Sequence, residues 1–180
     1  MRILIHTRPG KRPRVRDIIH AAGVTQPTLY YHFRDKTDLF QSLIRMYYVS
    51  SQQQLIELIH RVTGCEARLQ TLVGQSFEFC IADPRVPRLM FQTYFGPPIA
   101  EIDGVLDSLT QQRFLLVTRI MREGLRDGEL RKSDAEFLAL SFCCLMDQPI
   151  NLFSRKPNPS RHLTPELATS IVRLFLRGAV

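Results

Sequence analysis

The chain is 180 residues long, 44% hydrophobic and 23% charged, with a formal net charge of +7. Such a balance suits one or two soluble globular domains with a real core and excludes a low-complexity or disordered chain. There is no run of eighteen apolar residues, and the three apolar residues near the start are too few for a secretory leader, so the expected location is the cytoplasm with no membrane contact.

The basic charge gathers at one end. Residues 1–45 hold nine of the 24 Lys and Arg but only three of the 17 acids, which leaves fifteen bases against fourteen acids in the rest. A segment of that kind attracts polyanions. Cys65, Cys80, Cys143 and Cys144 show neither metal-ligand nor disulfide-framework spacing, so all four read as reduced, mostly buried thiols. No metal or other cofactor is expected.

Apolar residues recur at helical spacing almost everywhere, predicting an all-α chain with helices near 15–22, 26–33, 37–62, 66–82, 86–95, 104–127, 134–155 and 165–177. Gly and Pro interrupt the pattern at Gly23, Gly64, Pro84, Gly96-Pro97-Pro98, Gly128 and Pro157, where helices should stop. The charge asymmetry places a division near residue 45, between a basic N-terminal domain over 1–45 and a helical domain over 46–180.

In the first helix Val15, Ile18, Ile19 and Ala22 form one apolar stripe, and Gly23 permits a tight turn. Thr25 suits an N-cap and Pro27 the first turn of the next helix. There Leu29 and Phe33 share the inner face, which leaves Gln26, Pro27, Thr28 and Tyr31 outward with Tyr30 and His32 flanking. Two short helices joined in this way make a helix-turn-helix whose second helix would enter the major groove.

The run Gly23-Val24-Thr25-Gln26-Pro27-Thr28-Leu29-Tyr30-Tyr31-His32-Phe33, followed by Lys36, resembles the recognition segment of the tetracycline-repressor (TetR) family. EGLRDGEL at 123–130 and VRLFLRG at 172–178 are weaker echoes of it. The resemblance implies a homodimer, one recognition helix per subunit and a ligand pocket in the C-terminal domain. It assigns base contacts to Arg16, Gln26, Pro27, Thr28 and Tyr31, and phosphate contacts to Tyr30, His32 and Lys36, with Thr25 starting the recognition helix. These roles suit the chemistry: Arg forks onto guanine, Gln onto adenine, and a lysine at a helix N-terminus clamps phosphate. Members of the family begin with a full helix of about four turns, whereas Pro9 and Pro13 forbid a continuous one here. Residues 1–35 are therefore expected to be the least stable part of the free protein and to order mainly on double-stranded DNA.

The helix over 37–62 is long enough to link a DNA module to a distant core. Behind it Phe77, Met90, Tyr94, Phe114, Thr118, Met121, Phe142 and Met146 could line a pocket for a small apolar effector, with Asp147, Gln148, Asn151 and Ser141 as polar orientation points. The same residues could simply fill a helical core. By analogy with the family the dimer would form through 134–155 and 165–177. The closing helix has one stripe of Leu167, Ile171, Leu174 and Phe175 and a second of Val172, Leu176 and Val180. No nucleophile elbow, metalloprotease motif or phosphate loop occurs, and His6, His20, His32, His60 and His162 are scattered, so no catalytic constellation is expected. The reading is a ligand-responsive repressor on a pseudo-palindromic operator. The rival is a helical ligand-binding or interaction module with impaired DNA binding.

Overall fold

A computed structural model of the chain describes residues 15–85, 87–88, 90–91 and 100–179. All its regular elements there are helices. The chain divides into two compact units, Met1–Tyr47 and Tyr48–Val180. Pro9, Gly10 and Pro13, with the short lead that they interrupt, lie outside the described residues, as do Tyr94 and Val180.

The first unit holds α1 (Val15–Ala22), α2 (Gln26–His32) and the start of α3 (Lys36–His60). Gly23 takes a φ of 65°, a left-handed backbone that a side chain would strain. The Val24 N–H donates to the carbonyl of Ile19 as α1 ends. Asp35 starts α3, its Oδ1 accepting from the Asp38 N–H at 2.8 Å, while Asp38 Oδ2 accepts from the Arg34 N–H at 3.0 Å. This reciprocal pairing satisfies donors that a helix start leaves free. Leu29 and Leu39 are buried in this unit.

The second unit contains the end of α3, then α4 (Cys65–Ala82), helical residues among 85–91, α5 (Ala100–Arg126), α6 (Ala135–Phe153), a short 3-10 turn (Pro159–Arg161) and α7 (Pro165–Ala179). One continuous core joins them. Leu55 and Ile59 of α3, Leu69, Leu72 and Val73 of α4, Val117 and Met121 of α5, Phe142 and Met146 of α6, and Val172 and Phe175 of α7 all belong to it. The rings of Phe142 and Phe175 meet edge to face with centroids 5.1 Å apart. Each such fully buried side chain contributes about 1.5–3 kcal/mol.

Two departures from the expected helices have simple causes. The helix predicted over 134–155 begins after its N-cap Asp134, whose Oδ1 accepts from the Phe137 N–H at 2.7 Å, and it runs through Pro149. In α7 Leu174 does not share the fate of Ile171 and Phe175: it is 63% exposed, while Ala168, Ile171, Val172 and Phe175 turn into the core. The apolar stripe read from the sequence is wider than the face the core can cover.

Candidate DNA-binding site

Three small features build the α2 face. Thr25 is extended (φ −88°, ψ 160°), and its Oγ1 accepts from the Thr28 N–H at 3.3 Å. The two hydroxyls, Thr25 Oγ1 and Thr28 Oγ1, lie 2.8 Å apart. The helix ends at Phe33, whose N–H donates to the Leu29 carbonyl at 2.9 Å as the backbone turns extended. Leu29 is buried and Phe33 half-buried, so the α2 side of the turn is anchored by the pair that spacing placed inward.

The other side of α2 is open. Gln26, Pro27, Thr28 and His32 are exposed, Tyr31 is 85% exposed and Tyr30 44%. Tyr31 and His32 hold each other edge to face at 5.1 Å, which limits how far either ring can swing. The Thr28 hydroxyl is engaged with Thr25, and its methyl group is of the kind that can meet a thymine methyl. Arg16 on α1 is exposed, and Lys36 is the first residue of α3. The chain after α2 adds Arg34, which the reading of the sequence left out. Its side chain is 90% exposed and reaches only a 3.7 Å pairing with Asp38. Its place two residues past the end of α2 was the available signal.

The residues singled out as a pocket lie in the second unit. Phe77, Met121, Phe142 and Met146 are all buried in the core, with Phe114 packed against them. Thr118 is buried and its hydroxyl donates to the Phe114 carbonyl at 2.9 Å, so it is satisfied within α5. Met90 is half-buried. Of the polar positions, Gln148 is exposed and Ser141 half-buried, while Asp147 forms a two-pronged ion pair with Arg113 of α5, both contacts at 2.6 Å. Asn151 Oδ1 and Ser154 Oγ are buried without a hydrogen-bond partner. Neither Arg113 nor Ser154 was found from the sequence, since nothing in local spacing pairs positions on two antiparallel helices.

The thiols sort by burial. Burial pushes the Cys80 thiol up to about 12 and those of Cys65 and Cys143 up to about 11, whereas Cys144 is exposed. No cluster of His, Cys, Asp and Glu among the described residues could hold a metal ion. No described helix is long and apolar enough to cross a membrane.

Residues 5–43 match the family model described as bacterial regulatory proteins, tetR family. The chain is 22% identical over 153 residues to the nucleoid occlusion factor SlmA of Alteromonas mediterranea, covering 84% of this chain and 78% of that protein. Its fold is similar to that of the transcriptional regulator FadR from Bacillus subtilis in complex with stearoyl-CoA (TM-score 0.77, 18% identity, 93% of this chain and 89% of the other). It is also similar to the fatty acid degradation regulator FadR from Bacillus halodurans (TM-score 0.79, 21% identity, 93% and 89%).

Proposed function

We propose that the chain is a transcriptional regulator of the TetR family that binds a pseudo-palindromic operator as a homodimer, acts in the cytoplasm as a repressor, and responds to an acyl-bearing effector held in its second unit. The observation that carries the DNA reading is the outer face of α2, polar and open over Gln26, Pro27, Thr28 and Tyr31 and anchored from behind by buried Leu29. An α-helix presenting such a face fits the major groove, and its first residues reach base edges. Arg16 and Gln26 read bases by bidentate hydrogen bonds, and Thr28 and Pro27 read thymine methyls. Tyr30, Tyr31, His32, Arg34 and Lys36 fix the register, Tyr31 at a base edge and the others on phosphates.

The dimer reading rests on surface that the fold of one chain leaves uncovered. On α6 Phe137, Leu140 and Leu152 are each more than half exposed, as is Leu174 on α7. With Cys144 and Gln148 the α6 residues share one side of that helix at spacings of three and four, which suits a helix packed on its symmetry mate.

The acyl-effector reading is supported by the stearoyl-CoA bound to the Bacillus subtilis regulator of similar fold, and by an interior that is almost wholly apolar. A ligand entering between α4, α5 and α6 would have to displace side chains such as Met121, Met146 and Phe114, and methionine repacks readily. Because α3 begins in the first unit and ends in the second, a shift of its core residues Leu55 and Ile59 would be passed to the recognition helices.

Fluorescence polarisation on sheared and operator DNA at two salt concentrations tests the reading. Steeply salt-dependent affinity, lowered by stearoyl-CoA, is expected. Linkage requires operator to lower the affinity for stearoyl-CoA by the same factor. Salt-independent or absent DNA binding would support the rival, a helical module that does not act on DNA.

A further inference from the structure

We propose that the C-terminal end of α6 is a docking site for the phosphate-bearing head of an amphiphilic effector, whose acyl chain runs into the apolar interior of the second unit. This rests on the acyl-effector reading above and adds to it the class of head group and the residues that hold it.

The first observation is a cluster of cations gathered from separate segments. Arg88 donates through Nε to the Ser154 carbonyl at 2.6 Å and through Nη2 to the Lys156 carbonyl at 3.5 Å, which seats the residues around 88 on the end of α6. The ring of His162 stacks on that of Phe153, with centroids 4.7 Å apart and planes 10° from parallel, and so brings Arg161 to the same place. Arg155 and Lys156 follow α6 directly. All four cations are exposed, and none forms an ion pair with a described residue. Residues 84–91 and 154–164 contain no Asp or Glu. The dipole of α6 favours a cation or two beyond its last turn, which accounts for Arg155 and Lys156. Arg88, from another part of the chain, satisfies two carbonyls at that end and adds its charge there, while the dipole does not account for Arg161. Four positive charges from these segments, none paired with an acid among the described residues, suit a polyanion, and phosphate suits the planar fork of arginine.

The second observation is independent of charge. Ser154, the residue whose carbonyl Arg88 holds, is 1% exposed, and its hydroxyl has no partner. One turn earlier on the same helix the Asn151 Oδ1 is also buried and unpartnered. Native proteins rarely leave such groups unsatisfied, because a buried polar atom without a partner gives up its hydration for nothing. Both oxygens belong to the C-terminal end of α6, the helix that carries the core residues Met146 and Ile150 just before them and is followed directly by Arg155 and Lys156. An amphiphile meets all three zones in order: phosphate on the cations, polar linkage at Ser154 and Asn151, chain among the apolar side chains. A nucleic acid would use the cations but neither the buried oxygens nor the core.

Calorimetric titration of the full chain with four probes tests this: stearoyl-CoA, stearate, coenzyme A alone and stearoyl lysophosphatidic acid. With the wild-type protein, the phosphate-bearing stearoyl probes should bind more tightly than stearate and lose more affinity as salt rises. In the double variant Lys156→Glu/Arg161→Glu their affinity should fall by about tenfold or more, while that for stearate changes by less than about twofold. Whichever phosphate-bearing probe binds more tightly identifies the source of the head group. Ser154→Ala should weaken both phosphate-bearing probes without lowering the melting temperature. If the phosphate-bearing probes bind the double variant as well as the wild type, the docking site is refuted and the acyl reading stands. If no stearoyl probe binds at all, the acyl reading falls and this proposal with it. If the double variant loses DNA affinity in the absence of any effector, the cluster belongs to DNA and the proposal is overturned.

Discussion

The backbone N–H of Cys65 donates to Oε2 of Glu129 at 2.7 Å, so a side chain 64 positions away caps the start of α4. Gly64, which precedes α4 at φ 87°, has no side chain to do this. Glu129→Ala should therefore destabilise the second unit by about 1 kcal/mol, lowering its melting temperature by about 2–4 °C. Glu129→Gln keeps an acceptor and should recover most of the loss. An unchanged melting temperature in the alanine variant would show that water caps α4 equally well.

Gly124 makes the same corner possible from the α5 side. A Cβ there would meet Cys65 Cβ, Cys65 Sγ and Leu130 Cδ1, each at 3.1 Å, and its carbonyl already accepts from the N–H groups of both Glu129 and Leu130. In an open helix Gly→Ala stabilises by roughly 0.5–1 kcal/mol. Here overpacking against α4 should outweigh that gain, for a net loss of about 1 kcal/mol or more. Denaturant unfolding followed by circular dichroism measures it, and a stabilised variant would mean that α4 yields without strain.

At the DNA face, Arg16→Ala, Gln26→Ala and Thr28→Val separate three kinds of contact. The first two should each cost about 1–3 kcal/mol on the operator and little on random DNA. Thr28→Val keeps the methyl that the Thr25–Thr28 hydroxyl pair leaves available, so its operator affinity should fall less than that of Thr28→Ala. Lys36→Ala and Arg34→Ala should weaken operator and random DNA alike and flatten the salt dependence by about one unit per subunit. A changed sequence preference in Lys36→Ala, with none in Arg16→Ala, would reverse the assigned roles.

The helices and their breaks were legible because both signals are local. The spacing of Val15, Ile19 and Ala22 and the breaks at Gly23, Gly64 and Gly128, where the backbone is left-handed, can all be read within a few residues. The predicted helix over 104–127 begins four residues earlier, at Ala100, since Gly104 costs a helix too little to set its boundary. What remained hidden depends on which elements meet. The Arg113–Asp147 pair, the Glu129 cap of Cys65 and the seating of Arg88 on Ser154 join residues 34, 64 and 66 positions apart. Their register follows from core packing, and no sequence period announces it. Phe137 illustrates the converse: a large aromatic side chain of the kind that fills cores, it is 63% exposed, on the side of α6 that one chain leaves uncovered.

That uncovered side gives a chemical test of the dimer through the cysteines. Three thiols are buried and pushed up, Cys80 to about 12 and Cys65 and Cys143 to about 11, so the thiolate that reacts is scarce at pH 8 and shielded as well. Cys144 is exposed, on the same side of α6 as Leu140 and Gln148. A single chain should therefore show one fast-reacting thiol. In a homodimer packed through this face Cys144 would be covered, and the wild-type protein at micromolar concentration should react slowly at every cysteine. Leu174→Glu places a charge on an exposed apolar position of α7 and removes no core contact, so it should yield folded monomers. In those monomers one thiol per chain should react fast, and operator affinity should fall because two half-sites are no longer held together. Sedimentation gives the mass and a thiol-disulfide dye the count. A wild-type chain that sediments as a monomer with one fast thiol would place the partner surface elsewhere or remove it.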